Sequence, residues 1–151
     1  MKMNKLFFIL TVGLSSTYLS ANDDIVGKWR NIDDKTGFSK AVIEITKDAN
    51  DTYFGKIIEV TPRPGYTPKA YCDKCKGADQ GKPIIGLQII KHMKRSTQNP
   101  LEFSQGTILD PLTGSHYKST MRLNTTGTRL AIRGFVGIEA LGRSQTWLRQ
   151  N

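Results

Sequence analysis

Residues 101–136, LEFSQGTILDPLTGSHYKSTMRLNTTGTRLAIRGFV, hold three runs of alternating apolar and polar residues separated by two short breaks. The runs are Leu101–Leu109, His116–Leu123 and Thr128–Val136. The first break, Asp110-Pro111-Leu112-Thr113-Gly114, puts Pro where a type I turn wants a fixed φ, and Gly where the chain needs a left-handed residue. The second, Asn124-Thr125-Thr126-Gly127, is also a turn. Period-2 alternation across hairpin-length breaks predicts three sequential antiparallel strands, each with one buried face.

Working outward, the pattern repeats. Arg143–Arg149 follows the break Gly137–Gly142, and Ile84–Met93 precedes the polar break Arg95–Pro100. Thr52–Thr61 and Lys40–Lys47 flank the loop Asp48–Asp51, and Ile25–Asn31 opens the series. Eight short strands joined mostly in sequence predict an all-β fold, an eight-stranded antiparallel up-and-down barrel, because closure removes exposed edges. A two-sheet sandwich is the alternative. Only Leu87–Arg95 carries a helix-like spacing, and its β-branched neighbours leave helix and strand both open.

Before the first strand, Lys2 and Lys5 precede the apolar run Leu6–Leu14 and the small residues that end at Ala21. This is the layout of a cleaved secretory leader over 1–21, with one barrel domain at 22–151. A nine-residue run is far shorter than the ~20 residues of a spanning helix, so no stable membrane insertion is expected. The expected location is periplasmic or secreted.

The formal charge is +9, and without Lys2 and Lys5 there are 20 basic against 13 acidic residues. Eight basic and two acidic residues fall between Pro62 and Arg95, so this stretch carries most of the excess. It reads as a solvated loop or as a surface attracting anionic lipid head groups or an acidic partner. Export and the absence of interleaved aromatics argue against nucleic acid as partner.

Gly27-Lys28-Trp29 resembles the Gly-X-Trp opening of lipocalins and the wider calycin group. That resemblance implies that Trp29 plugs one end of a barrel and that an Arg near the last strand, Arg143 or Arg149, packs across its ring. Gly27, Trp29, Arg143 and Trp147 are the expected closure residues. A wider resemblance covers nearly the whole chain after the leader. It rests on Asp24–Trp29, Cys72–Gly77, Gly81–Leu87, Asp110-Pro111 and Leu141–Trp147. These segments resemble a family of small exported bacterial proteins classed as a domain of unknown function, with a lipocalin-like fold. The resemblance implies the barrel and export but no activity.

Cys72 and Cys75 are three positions apart, and in an oxidising compartment they most simply form a disulfide. A redox-active pair assisted by Lys74 and Lys76 is one alternative, and zinc shared with His92 and His116 is another. Neither His sits in a nucleophile motif, and Glu44 with Glu59 is the nearest approach to a carboxylate pair. The residues therefore point to a non-enzymatic protein with no cofactor or metal. Inward-pointing Ile43, Ile45, Tyr53, Ile57, Tyr117, Met121, Leu130 and Ile132 are the expected lining of a site for a small hydrophobic or amphipathic ligand. The competing readings are a filled barrel acting on an envelope partner through the loop Cys72–Gly81, and a thiol-redox protein.

Overall fold

A computed structural model describes residues 24–33 and 36–151. The expected leader over 1–21 lies outside the described residues. Eight strands run in order: β1 (Gly27–Ile32), β2 (Ser39–Lys47), β3 (Thr52–Val60), β4 (Gln88–Arg95), β5 (Glu102–Asp110), β6 (Ser115–Leu123), β7 (Arg129–Phe135) and β8 (Arg143–Gln150). Each pairs antiparallel with the next, and β1 pairs with β8 through Lys28–Gln150 and Asn31–Trp147, which closes the barrel. The sandwich alternative is thereby excluded.

Up-and-down topology sorts the connections to two ends. The tight turns after β2, β4 and β6 gather at one end with Trp29. The loops after β1, β3, β5 and β7 gather at the other, including the long 61–87 segment. Asp48 shows how a short turn is held. Its carboxylate accepts from the backbone N–H groups of Asn50 and Thr52, each at 2.9 Å, while Asp51 takes a positive φ of 55°.

The ambiguous stretch Leu87–Arg95 is strand. Ile90 and Met93 are both buried although three residues apart, because His92 adopts φ 60° and resets the alternation. Gln105, at φ 65°, does the same in β5, so Phe103 and Gly106 both turn inward. A bulge of this kind reads in sequence as helical spacing. The expected strand start at Ile84 moves to Gln88. Gly86, at φ 91°, bends the chain so that its N–H bonds to Ile57 O at 2.7 Å.

The half of the barrel beyond Trp29 is packed solid by Ile25, Ile45, Tyr53, Met93, Phe103, Met121, Leu123 and Leu130, all nearly inaccessible. Tyr53 meets Phe103 edge to face at 5.1 Å. Gly106 has no room for a side chain, since a Cβ there would lie 2.2 Å from Met93 Sδ. Burial at ~1.5–3 kcal/mol per large apolar side chain makes this layer the main source of stability.

Candidate functional site: a half-open lumen

Trp29 is fully buried on β1, and its indole N–H donates to Ile25 O at 2.8 Å. Arg149 lies over its ring at 4.3 Å. The same guanidinium donates to three main-chain carbonyls: Gly127 (2.6 Å), Val26 (2.9 Å) and Asp24 (2.5 Å). Partial burial pushes its pKa down, and the charge of Asp24 opposes that. Gly27, at φ 129°, leaves space for the Arg149 head, 3.1 Å from where a Cβ would stand. The expectation that Arg143 closes the barrel is corrected. Arg143 starts β8 at the opposite end, opposite Gly134, because six residues of extended strand separate the two arginines. Trp147 is buried at mid-barrel, level with Asn31, and donates to Gln145 Oε1 at 3.3 Å.

Above this layer the interior opens into a cavity of about 450 Å³. By strand register its deep part is formed by Ile43, Ile57, Ile132 and Trp147, and its walls by Ala41, Val60, Ile108 and Tyr117, with Ile89 beside them. Gly134 on β7 faces the same space. A Cβ there would sit 3.4 Å from Ile108 and 3.5 Å from Tyr117, an ordinary contact. On β1 and β8, Asn31 and Gln145 add an amide stripe, and Asn31 Oδ1 is buried with no hydrogen-bond partner among the described residues. An unpaired buried acceptor costs ~1–3 kcal/mol, and a donor entering the lumen would relieve it.

Of the expected ligand-lining residues, Ile43, Ile57, Tyr117 and Ile132 line this cavity. Ile45, Tyr53, Met121 and Leu130 do not. They lie deeper, in the packed half, where they fill space rather than bound it. Tyr53 points its hydroxyl at Asp24 (3.4 Å) and accepts from Arg95 (3.3 Å) at the closed end. Alternation alone separates inward from outward residues, and depth along the barrel depends on register. Asn31 and Gln145 were within reach of that rule, standing two residues from Trp29 and Trp147, but their polarity conceals an inward position.

The rim is polar and mostly cationic. Asp33 is buried and binds Lys40 (2.8 Å) and Arg63 (3.4 Å), tying the loop after β1 to the long loop. Arg63 also stacks on Tyr66 at 4.9 Å. Lys69 and Arg143 complete the basic edge, with Asp110 on the facing side. The basic stretch does not gather there as a block. Lys82 and Lys91 clamp the buried Asp79 (3.1 and 2.9 Å), holding its carboxyl below the usual range. Lys94 lies opposite Thr52 and Arg95 binds Asp24, both at the closed end.

Cys72 and Cys75 are disulfide-bonded and buried. Gly114 explains their seat, since a Cβ there would lie 2.0 Å from Lys74 O, so only glycine lets the disulfide loop rest on the β5–β6 turn. The exposed thiols expected of a redox protein are not what the fold presents. The zinc alternative loses its sulfur ligands to the disulfide, and among the described residues no group of three or more His, Cys, Asp and Glu could hold a metal. His116 is exposed, and His92 packs edge-on against Phe54. Glu44 stands opposite Lys56, 3.1 Å away, rather than opposite Glu59. Among the described residues no helix is long and apolar enough to cross a membrane.

A closed eight-stranded meander, plugged by a Gly-X-Trp tryptophan under an arginine and open at its other end, is a lipocalin-like barrel. The chain belongs to the family described as "Uncharacterized protein conserved in bacteria (DUF2147)", which it matches over residues 27–149. Its fold is similar to that of protein HP1028 from Helicobacter pylori, described as belonging to the lipocalin family. The two share 13% identity and a TM-score of 0.70 over 85% of this chain and 84% of that one. Comparison with curated proteins found no match.

Proposed function

We propose that this is an exported, non-enzymatic binding or carrier protein that holds a small hydrophobic or amphipathic molecule in its lumen, in the periplasm or outside the cell. The observation that carries the reading is the cavity of about 450 Å³, apolar at depth and open at one end, above a firmly closed base. Ligand pockets generally occupy ~300–1,000 Å³ with a few placed polar groups, and this lumen fits that description. The lipocalin-like fold supports small-ligand binding in general, and the buried disulfide accords with an oxidising compartment. An apolar tail would lie against Ile43, Ile57, Ile108 and Ile132, and Arg63, Lys69 and Arg143 would receive an anionic head at the rim. The filled-barrel reading needs a solid interior, and the cavity of about 450 Å³ weighs against it.

The experiment is titration of delipidated protein with fatty acids, lysophospholipids and an apolar fluorescent probe, followed by native mass spectrometry. Saturable binding at one site is expected. Gly134→Leu, which pushes a side chain into the lumen without main-chain strain, should weaken it about tenfold or more while leaving the fold intact. Failure to bind any of these molecules, or binding indifferent to Gly134→Leu, would overturn the reading.

A further inference from the structure

Exposed large apolar side chains are not scattered over this barrel. Nine occur among the described residues, and seven (Phe38, Tyr71, Ile85, Leu112, Val136, Ile138, Leu141) lie in loops at the open end, on all four of the connections gathered there. The densest group is in the β7–β8 loop, where Val136, Ile138 and Leu141 are 73%, 61% and 79% exposed. That loop is not loose. Arg133 donates to Glu139 O (2.7 Å), Ala140 O (2.9 Å) and Ser144 Oγ (2.8 Å), and Thr120 Oγ1 donates to Glu139 Oε1 at 2.6 Å. A turn braced by four hydrogen bonds therefore holds three apolar tips in water, an arrangement that marks an interaction surface rather than chance exposure.

The charge around these tips has one dominant sign. Lys69, Lys74, Lys76, Lys82 and Arg143 are exposed in or beside the same loops, against exposed Asp73 and Glu139. Asp33 and Asp79 each pair with two cations and Lys69 pairs with Asp73, so these acids offset part of the charge and leave a basic excess among the described residues. Apolar tips and exposed cations on connections that share one end of the barrel are the complement of an anionic lipid surface. There, side chains enter the acyl boundary while ammonium and guanidinium groups meet phosphates. The geometry points to peripheral docking of the open end on an anionic bilayer, with Val136, Ile138 and Leu141 as the inserting tips and the lumen mouth turned toward the lipid. The docking surface does not depend on what the lumen holds, and a barrel occluded by Gly134→Leu should dock as well as the parent.

Flotation of the purified protein with phosphatidylcholine vesicles, with and without phosphatidylglycerol, tests this. Binding to the phosphatidylglycerol vesicles is expected, decreasing with added salt. V136S/I138S/L141S should weaken it about tenfold or more, and V26S/L148S, which alters the two exposed apolar residues outside those loops, should not. Ile138→Trp gives a second readout that leaves the rest of the loop intact. Its emission should shift to the blue with anionic vesicles, against the constant background of buried Trp29 and Trp147. Three results would each overturn the proposal: no vesicle binding, which would leave these loops to a protein partner; binding undiminished by the triple change; or an Ile138→Trp spectrum that anionic vesicles leave unmoved.

Discussion

Replacing Arg149 by alanine removes one guanidinium that satisfies the carbonyls of Asp24, Val26 and Gly127 and covers the Trp29 ring. Hydrogen bonds from a charged donor contribute ~1.5–3 kcal/mol each, and a cation over an aromatic ring ~0.5–2. The simple sum overstates the loss, because the freed carbonyl of exposed Val26 can take water and the four contacts share one side chain. An expected destabilisation of ~3 kcal/mol remains, a large part of the ~5–15 kcal/mol that holds a domain together. For a domain of this size that corresponds to ~10 °C in the melting temperature. Arg149→Lys keeps the charge but has no planar fork able to reach three carbonyls, so it should recover less than half of the loss. Urea unfolding followed by tryptophan fluorescence measures both variants, with an unchanged m-value as the control. A loss below ~1 kcal/mol for Arg149→Ala, or full rescue by lysine, would show that the closed end is held by Trp29 packing alone and would refute the argument.

Other perturbations test other parts of the frame. Asp79→Asn should cost ~1–2 kcal/mol near neutral pH, since it uncouples the long loop from Lys82 and Lys91, both of which are partly exposed. Because folding lowers the Asp79 pKa, its contribution is complete above the unfolded carboxyl value near pH ~4 and is lost as pH falls through the folded value. Denaturation curves of the parent and Asp79→Asn should therefore converge on acidification, and a gap that widens would contradict the assigned cause. Reduction, or Cys72→Ala with Cys75→Ala, should cost ~2 kcal/mol for so short a loop. Because both sulfurs are buried, the two-hydrogen mass gain should lag well behind that of an unfolded control, and rapid reduction under native conditions would be inconsistent with that burial. Gly106→Ala drives a methyl into Met93 and should destabilise by ~1–3 kcal/mol, read by thermal melting, whereas Gly134→Ala should be near neutral.

The barrel was legible because the two signals that define it are local. Alternation at residues 101–136 marks strands, and Asp-Pro and Asn-containing turns mark their order, while closure against a sandwich comes only with the β1–β8 pairing. The site was half legible. Ile43, Ile57, Tyr117 and Ile132 alternate inward as expected, but whether an inward residue bounds empty space depends on how neighbouring strands are staggered, as Ile45 and Met121 show. The bulges at His92 and Gln105 changed the facing of residues beyond them, and no residue type announces a positive φ at a histidine or a glutamine. Clusters made by loops from different connections, such as Asp33 with Arg63 or the apolar tips around the mouth, are nonlocal and come only with the fold.

The seam between β1 and β8 has a topological consequence. Lys28 and Gln150 lie side by side across it although more than a hundred residues of chain separate them. Bringing distant segments together carries the greatest loop-closure cost, so the cylinder should zip shut there last as the chain collapses. Joining the chain just beyond these two residues with a short linker and opening it at the Asn124–Gly127 turn would make a circular permutant in which the former seam is a hairpin. In such a chain the last strands to meet should be β6 and β7, so the late-closing seam follows the chain ends around the ring.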